Sequence, residues 1–298
     1  MSHPVTIEND AIQMEVWPQT GGKVSSIVDK VDGYELLFAY PAELPETSCY
    51  DVPYGNCWYA GWDECFPAVA PSKYVGHPYD GIAVPDHGEI WGLPAIAAPS
   101  GRYGITTVWH GLRFGYRLTR KLYLDEASIV AEYTVTNLSP FPFRFVWAIH
   151  ALMSLVSPVK LELLGSTSFR LSHDHAGTDI QKPFEWPLGP EQENFAEPGT
   201  LPPKRAWKVF SSEKISAPLT VHYPERGRKL EIEYTSEEAI EAYWGIWINS
   251  GGWAGHRHLA IEPTTGRFDQ LDRAVKDQSA GKVGPLERCG WCVRWTLS

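Results

Sequence analysis

From Arg113 to Met153 the chain alternates with period two, and the segments that do so are joined by very short turns. Phe114, Tyr116, Leu118, Arg120 and Leu122 share one face of an extended strand. Asp125-Glu126 interrupts the pattern, and Ile129, Ala131, Tyr133 and Val135 resume it. Asn137-Leu138-Ser139-Pro140 has turn composition, and Phe143–Ile149 follows as a third strand with His150 at its end. Two-residue turns join antiparallel neighbours, whereas parallel strands need a crossover of about a dozen residues or more. This stretch therefore rules out a doubly wound α/β chain and predicts a meander.

The same period recurs elsewhere. Ala11–Trp17 and Lys23–Asp29 alternate on either side of Gly21-Gly22. Further strand patterns cover Ala217–Tyr223, Lys229–Tyr234, Tyr243–Ile248, Arg257–Glu262 and Trp291–Leu297. Only Gln270–Gln278 reads as a short helix. Gly177–Arg205 is rich in Pro and Glu without periodicity, and reads as a long surface connection. No repeat or boundary divides the chain. The expectation is an all-β protein: residues 1–298 as one large antiparallel β-sandwich of two packed sheets with little helix.

Bulk properties narrow the partners. A formal net charge of -10 lacks the positive footprint that nucleic acid or an anionic membrane requires. No stretch is long and apolar enough to span a bilayer as a helix. The opening MSHPVTIEND has no basic segment followed by an apolar run, so a cytoplasmic protein is expected. The five cysteines, an odd number, read as reduced thiols. Cys289-Gly-Trp-Cys292 has redox-motif spacing without a βαβ context. Cys57 and Cys65 could join it in a zinc site, but buried structural thiols are the plainer reading of all four.

Three segments place a polar group at the end of an apolar run, where a strand can hold it against a cleft: PDHGEIWG with His87, FVWAIHAL with His150 and LAIEPTTG with Glu262. Taken singly, each also reads as a hydrogen-bonded structural residue. HRHLAIEPTTGRFDQ offers a rival. On a continuous strand His256, His258 and Glu262 share a face, and two histidines with a carboxylate make a common metal set, as in cupin-like enzymes.

In this order, and in an all-β chain of this length, HGEIWG, YTVTNLSPFPFRFVWAIHALM and LAIEPTTGRFD resemble the aldose 1-epimerase (galactose mutarotase-like) family, from the first strands to about Asp269. The resemblance implies a galactose mutarotase-like supersandwich that interconverts sugar anomers. It gives Glu262 as the base at the anomeric hydroxyl, His150 as the acid at the ring oxygen and His87 as a sugar contact, with no metal and no cofactor. The sequence departs from the better-known galactose mutarotases, with HGE in place of HGG and Val-Trp-Ala-Ile-His in place of Asn-x-Thr-Asn-His. This aligns it with divergent members of the family. The expected partner is a small-molecule sugar, and the same fold also serves non-catalytic carbohydrate binding.

Aromatic side chains cover the apolar face of sugars, so Trp91, Trp62 and Trp247 are candidate platforms, with core packing the alternative for each. In GWDECFPA, Glu64 rather than Asp63 is expected to face the cleft. Arg267 is placed to meet an anionic substituent or to form an exposed ion pair. His110, in VWHGLRFG, competes with His87. His173-Asp174-His175 is expected at the cleft rim or in a polar turn.

Overall fold

The computed structural model describes residues 3–40, 49–155, 158–165, 168–173, 179–236 and 240–298. Two antiparallel sheets of eleven and eight strands stack face to face. The larger sheet runs, neighbour to neighbour, through Val5–Glu8, Ile12–Trp17, Lys23–Asp29, Trp62–Cys65, Ala148–Ser154, Arg257–Thr264, Tyr243–Ser250, Ala206–Ser211, Ser168–His173 and Asp179–Glu185, with Tyr34–Glu35 beside Lys23–Asp29. The smaller sheet has Tyr116–Asp125, Ser128–Asn137 and Arg288–Leu297 at its middle. Among the described residues the one α-helix is Leu271–Lys276, inside the stretch expected to be helical.

The period-two pattern folds as expected for Tyr116–Asp125 and Ser128–Asn137, which pair along their whole length. The third strand does not continue the meander. Phe143–Phe145 forms a separate ribbon with Gly281–Val283. The chain then breaks at Val146-Trp147 and enters the larger sheet as Ala148–Ser154. An unbroken apolar run conceals this change of sheet, because both parts are buried. His150 consequently lies inside a strand rather than at its end.

The supposed loop Gly177–Arg205 also contains a strand, Asp179–Glu185, which closes one end of the larger sheet against Ser168–His173. Pro183 within it suppresses a strand reading, yet proline is tolerated at an edge, where a ladder donor is not needed.

The cysteine expectation is corrected. The 3-10 turn Tyr54–Asn56 folds the chain back so that Cys49 and Cys57, with Cα atoms 6.6 Å apart, form a disulfide. That separation is within the range a disulfide spans. Cys289 and Cys292 lie three residues apart on one strand, which sends their side chains to opposite faces; they do not form a redox pair.

Parity in Trp62–Cys65 sorts its residues between core and cleft. Trp62 stacks on Trp295 of the smaller sheet, with ring centroids 5.0 Å apart. Glu64 also points between the sheets. It is fully buried and accepts hydrogen bonds from Trp62 Nε1 (2.9 Å), Arg120 (3.0 Å), Tyr133 Oη (2.7 Å) and Trp147 Nε1 (3.0 Å). Arg120 and Tyr133 belong to the smaller sheet, so this carboxylate ties the two layers together. Neither Trp62 nor Glu64 reaches the cleft, which corrects the expectation for both. Asp63, between them, faces the other way.

Candidate functional site

On the face of the larger sheet turned away from the sandwich interior, polar side chains form a stripe across six strands. Lys23, Asp63, His150, Glu262 and Lys208 come from Lys23–Asp29, Trp62–Cys65, Ala148–Ser154, Arg257–Thr264 and Ala206–Ser211, with Gly245 of Tyr243–Ser250 between the last two. The ladder dictates the row as far as Gly245. Asp63 pairs with His150. The register that sets Ala148 against Thr264 and Leu152 against Ala260 puts His150 opposite Glu262, at the Cβ separation of about 5 Å typical of cross-strand pairs. Glu262 in turn faces Gly245, whose own partner is Phe210; Lys208 pairs with Trp247 and reaches Glu262 on the diagonal.

A cleft of about 620 Å³ opens over this stripe. His150, Lys208 and His258 line its floor, and Tyr54, Asp86 and His87 line one wall. Trp247, Trp253, Asp269 and Arg273 stand on the other sides. His173 is also at the rim, as expected; Asp174 and His175 lie outside the described residues.

His87 is held in an unusual backbone conformation, with φ 57°, and Gly88 follows at φ 76°. Any Cβ on Gly88 would meet the Phe66 carbonyl oxygen at 2.2 Å, so the HG step requires glycine there. The His87 ring stacks on Tyr54, with centroids 3.8 Å apart and planes 11° from parallel. Its Nδ1 pairs with Asp86 Oδ1 at 2.8 Å, and the ring meets His150 edge-on at 4.9 Å. His110 is exposed on a strand of the smaller sheet and has no place in the cleft.

Electrostatics set the protonation of the floor. Burial holds the His150 imidazole well below the ordinary histidine value, and the nearby His87 and Lys208 add to the effect. In the folded protein His150 is therefore neutral at neutral pH. Glu262 is fully buried, and one carboxylate oxygen is paired with the Lys208 ammonium while Oε1 has no partner. Burial pushes the Glu262 carboxyl up, and Lys208 only partly counters it. For Lys208 burial pulls the other way, but Asp269, at 3.6 Å, and Glu262 outweigh it and keep the ammonium charged.

His258 is fixed in one tautomer. The Asn249 amide is oriented by Trp253, giving Nδ2–H to its carbonyl (2.8 Å) and accepting from its N–H (3.0 Å) at Oδ1. The remaining Nδ2 hydrogen points at His258 Nε2, 3.1 Å away. That nitrogen is therefore an acceptor and the proton sits on Nδ1. Burial pushes the His258 pKa down to about 3.

The rival metal set does not assemble. His258 and Glu262 are four residues apart on one strand, about 13 Å at the usual rise per residue, and His256 is engaged through Nδ1 by Tyr59 Oη at 2.6 Å. Among the described residues no group of three His, Cys, Asp or Glu side chains is placed to share an ion.

Two further expectations are corrected. Trp91 is buried behind Tyr54, edge-on at 5.0 Å, with its Nε1 donating to the Asp86 carbonyl (2.8 Å); it supports the wall rather than lining it. Arg267 turns away to Asp277 (3.0 Å) and the Ser212 carbonyl (3.0 Å), and Arg273 of the short helix lines the cleft instead. Trp247 does line the cleft. Sequence reasoning missed Tyr54, Lys208, Trp253, Asp269 and Arg273, and took His258 only as a metal ligand. Lys208 had a usable signal: a lone charge in AWKVFS, whose six residues are all buried.

Among solved structures the fold is similar to a candidate aldose 1-epimerase from Escherichia coli K12, with 14% identity over 100% of this chain and 99% of that one and a TM-score of 0.74. A galactose mutarotase-like protein from Clostridium acetobutylicum has 16% identity, 99% and 95% coverage and a TM-score of 0.72. A galactose mutarotase-like protein from Lactobacillus casei has 16% identity, 99% and 100% coverage and a TM-score of 0.71. The chain thus has the galactose mutarotase-like fold over its whole length. No protein-family model matches the sequence, and no curated protein matches it.

Proposed function

We propose that the protein is an aldose 1-epimerase, interconverting the α and β anomers of an aldose or aldose derivative by acid–base ring opening. The observation that carries this reading is the register that sets His150, in the floor of the cleft, directly across from Glu262, which lies buried just beneath that floor beside Lys208. The anomeric hydroxyl and the ring oxygen are both bonded to C1, so the groups that deprotonate one and protonate the other must be close neighbours.

Glu262 takes the proton of the C1 hydroxyl. Its raised pKa makes it a stronger base than an exposed carboxylate. Lys208 must yield its place on the carboxylate as the hydroxyl arrives, and Asp269 supplies a second seat for the ammonium. His150 donates from Nε2 to the ring oxygen as the C1–O bond breaks, acting as a neutral imidazole, a role known from other sugar-isomerising sites. His87 orients a hydroxyl from the wall, and Trp247 and Trp253 cover the apolar face of the ring. The open-chain aldehyde turns about C1–C2 and recloses with the roles reversed. Each proton has a protein partner, so the reaction as written calls on no cofactor.

The test is polarimetry or anomeric NMR on freshly dissolved α-anomers of hexoses, pentoses and sugar phosphates. The expected result is faster relaxation than buffer alone for at least one of them. Saturable sugar binding without acceleration anywhere in the panel would make the protein a carbohydrate-binding protein instead.

The pH profile is a second expectation. Glu262 is inactive when protonated, so the rate should climb through a value above the ordinary carboxylate range, because burial raises that carboxyl. Burial keeps His150 neutral at the ordinary histidine value. No descending limb should therefore appear near pH 6.5, the ordinary histidine value. A bell centred there would show that His150 works as an imidazolium.

A further inference from the structure

A neutral imidazole that gives up its Nε2 proton becomes imidazolate unless Nδ1 gains a proton in the same step. His150 Nδ1 lies 3.2 Å from the Tyr54 hydroxyl. That hydroxyl has one hydrogen, and it is also 2.8 Å from Asp63 Oδ2 and 3.0 Å from the Tyr59 carbonyl. Asp63 Oδ2 accepts in turn from the Lys23 ammonium, while Asp63 Oδ1 is buried without a partner. All four side chains are buried. Stability alone gives little reason to keep them, since a buried ion pair is on balance no more stabilising than well-packed apolar residues.

We propose that Lys23, Asp63 and Tyr54 form a proton relay that ends on His150 Nδ1. The inference rests on the mutarotase reading above. During ring opening the C1 hydroxyl loses its proton to Glu262, the C1–ring oxygen bond breaks and the carbonyl forms. The ring oxygen takes the Nε2 proton of His150. The Lys23 ammonium gives a proton to the Asp63 carboxylate, and the Tyr54 hydroxyl, whose one hydrogen until then is held by that carboxylate, passes its hydrogen to Nδ1 as it takes the proton from Asp63. Glu262 loses a negative charge and Lys23 a positive one, so the net charge of the site is unchanged. Ring closure runs every transfer backwards.

The surroundings suit each member. Burial lowers the Lys23 pKa, with Asp63 only partly offsetting it, so this ammonium gives up a proton more readily than an exposed one. Burial and Asp63 raise the Tyr54 pKa, so tyrosinate does not accumulate and the hydroxyl gains one proton as it loses another. Lys23, Asp63 and Tyr54 act through His150 and are positioning residues.

Tyr54→Phe keeps the ring that stacks on His87 and removes only the hydroxyl. The expected result is a fall in kcat of about 10²-fold, the lower range for a lost acid–base contribution, with KM little changed. The proton inventory in mixed H2O and D2O should be less strongly curved in the variant than in the wild type, because only the transfers to Glu262 and from His150 remain. Asp63→Asn should give the same change while leaving the hydroxyl in place. A Tyr54→Phe enzyme with wild-type kcat and an unchanged inventory overturns the relay. Histidine ¹⁵N spectra of wild type and Tyr54→Phe test it apart from turnover. His150 should be neutral, protonated on Nε2, with a bare Nδ1 beside the Tyr54 hydroxyl that shifts when the hydroxyl is removed. Protonation on Nδ1, or no shift, overturns the relay. If no sugar is anomerised, the mutarotase reading falls, and the spectra still decide whether the hydrogen-bonded chain exists.

Discussion

Glu262→Gln is expected to lower the rate of anomerisation by about 10²- to 10⁴-fold, the range for removal of a general base, while sugar binding is largely kept. The amide has the shape of the carboxylate and cannot take the C1 proton. The variant should also fold, because Lys208 retains Asp269 at 3.6 Å when its ionised partner on the sheet is gone. Polarimetry for the rate and titration calorimetry for binding separate the two effects. Equal loss of binding and rate would mean that Glu262 holds the sugar rather than reacting with it. An unchanged rate would remove it from the mechanism.

The largest expected effect on stability lies between the sheets. Arg120→Met should cost about 3–5 kcal/mol, the usual penalty for breaking a buried pair, because it leaves the Glu64 carboxylate with only neutral donors. Those donors, Trp62, Tyr133 and Trp147, cannot replace a charge. Burial already raises the Glu64 carboxyl despite Arg120, so in the variant it should fold protonated. Equilibrium unfolding in urea measures the loss. The double variant Arg120→Met, Glu64→Gln should recover much of it, since the uncompensated charge is then absent. A double variant no more stable than the single one would place the damage in lost packing against Trp109, over which the guanidinium lies at 5.4 Å.

Much of this fold is legible in the sequence because period-two alternation is a local property. The change of sheet between Phe145 and Ala148 is not, since a chain buried on both faces has no alternation to read. The same limit explains the mistake over Trp62 and Glu64. In WDEC all four residues are buried, so hydrophobicity cannot say which side faces the sandwich interior. Only the pairing of Asp63 with His150 decides it. His150, His87 and Glu262 stand out as polar groups in apolar runs. Tyr54 has no such signal. It reaches the site from a 3-10 turn, and its neighbours His87 and His150 come from distant parts of the chain. Arg267 precedes the short helix and Arg273 lies on it, and which of the two meets the cleft is set by packing that their spacing does not encode.

The outer strand that an irregular-looking, proline-bearing segment adds to the larger sheet has a consequence for how copies of this chain behave when crowded. A sheet of eleven strands that does not close into a barrel has open flanks, and an open flank is a template on which another chain can extend the ladder. At Asp179–Glu185 that template is spoiled. Pro183 offers no amide hydrogen, and Lys182 and Glu185 are exposed beside it. The opposite flank, Val5–Glu8, is only four residues long and carries the Glu8–Lys30 ion pair. Sequence features that obscure the strand are thus the ones that guard the molecule against edge-to-edge aggregation.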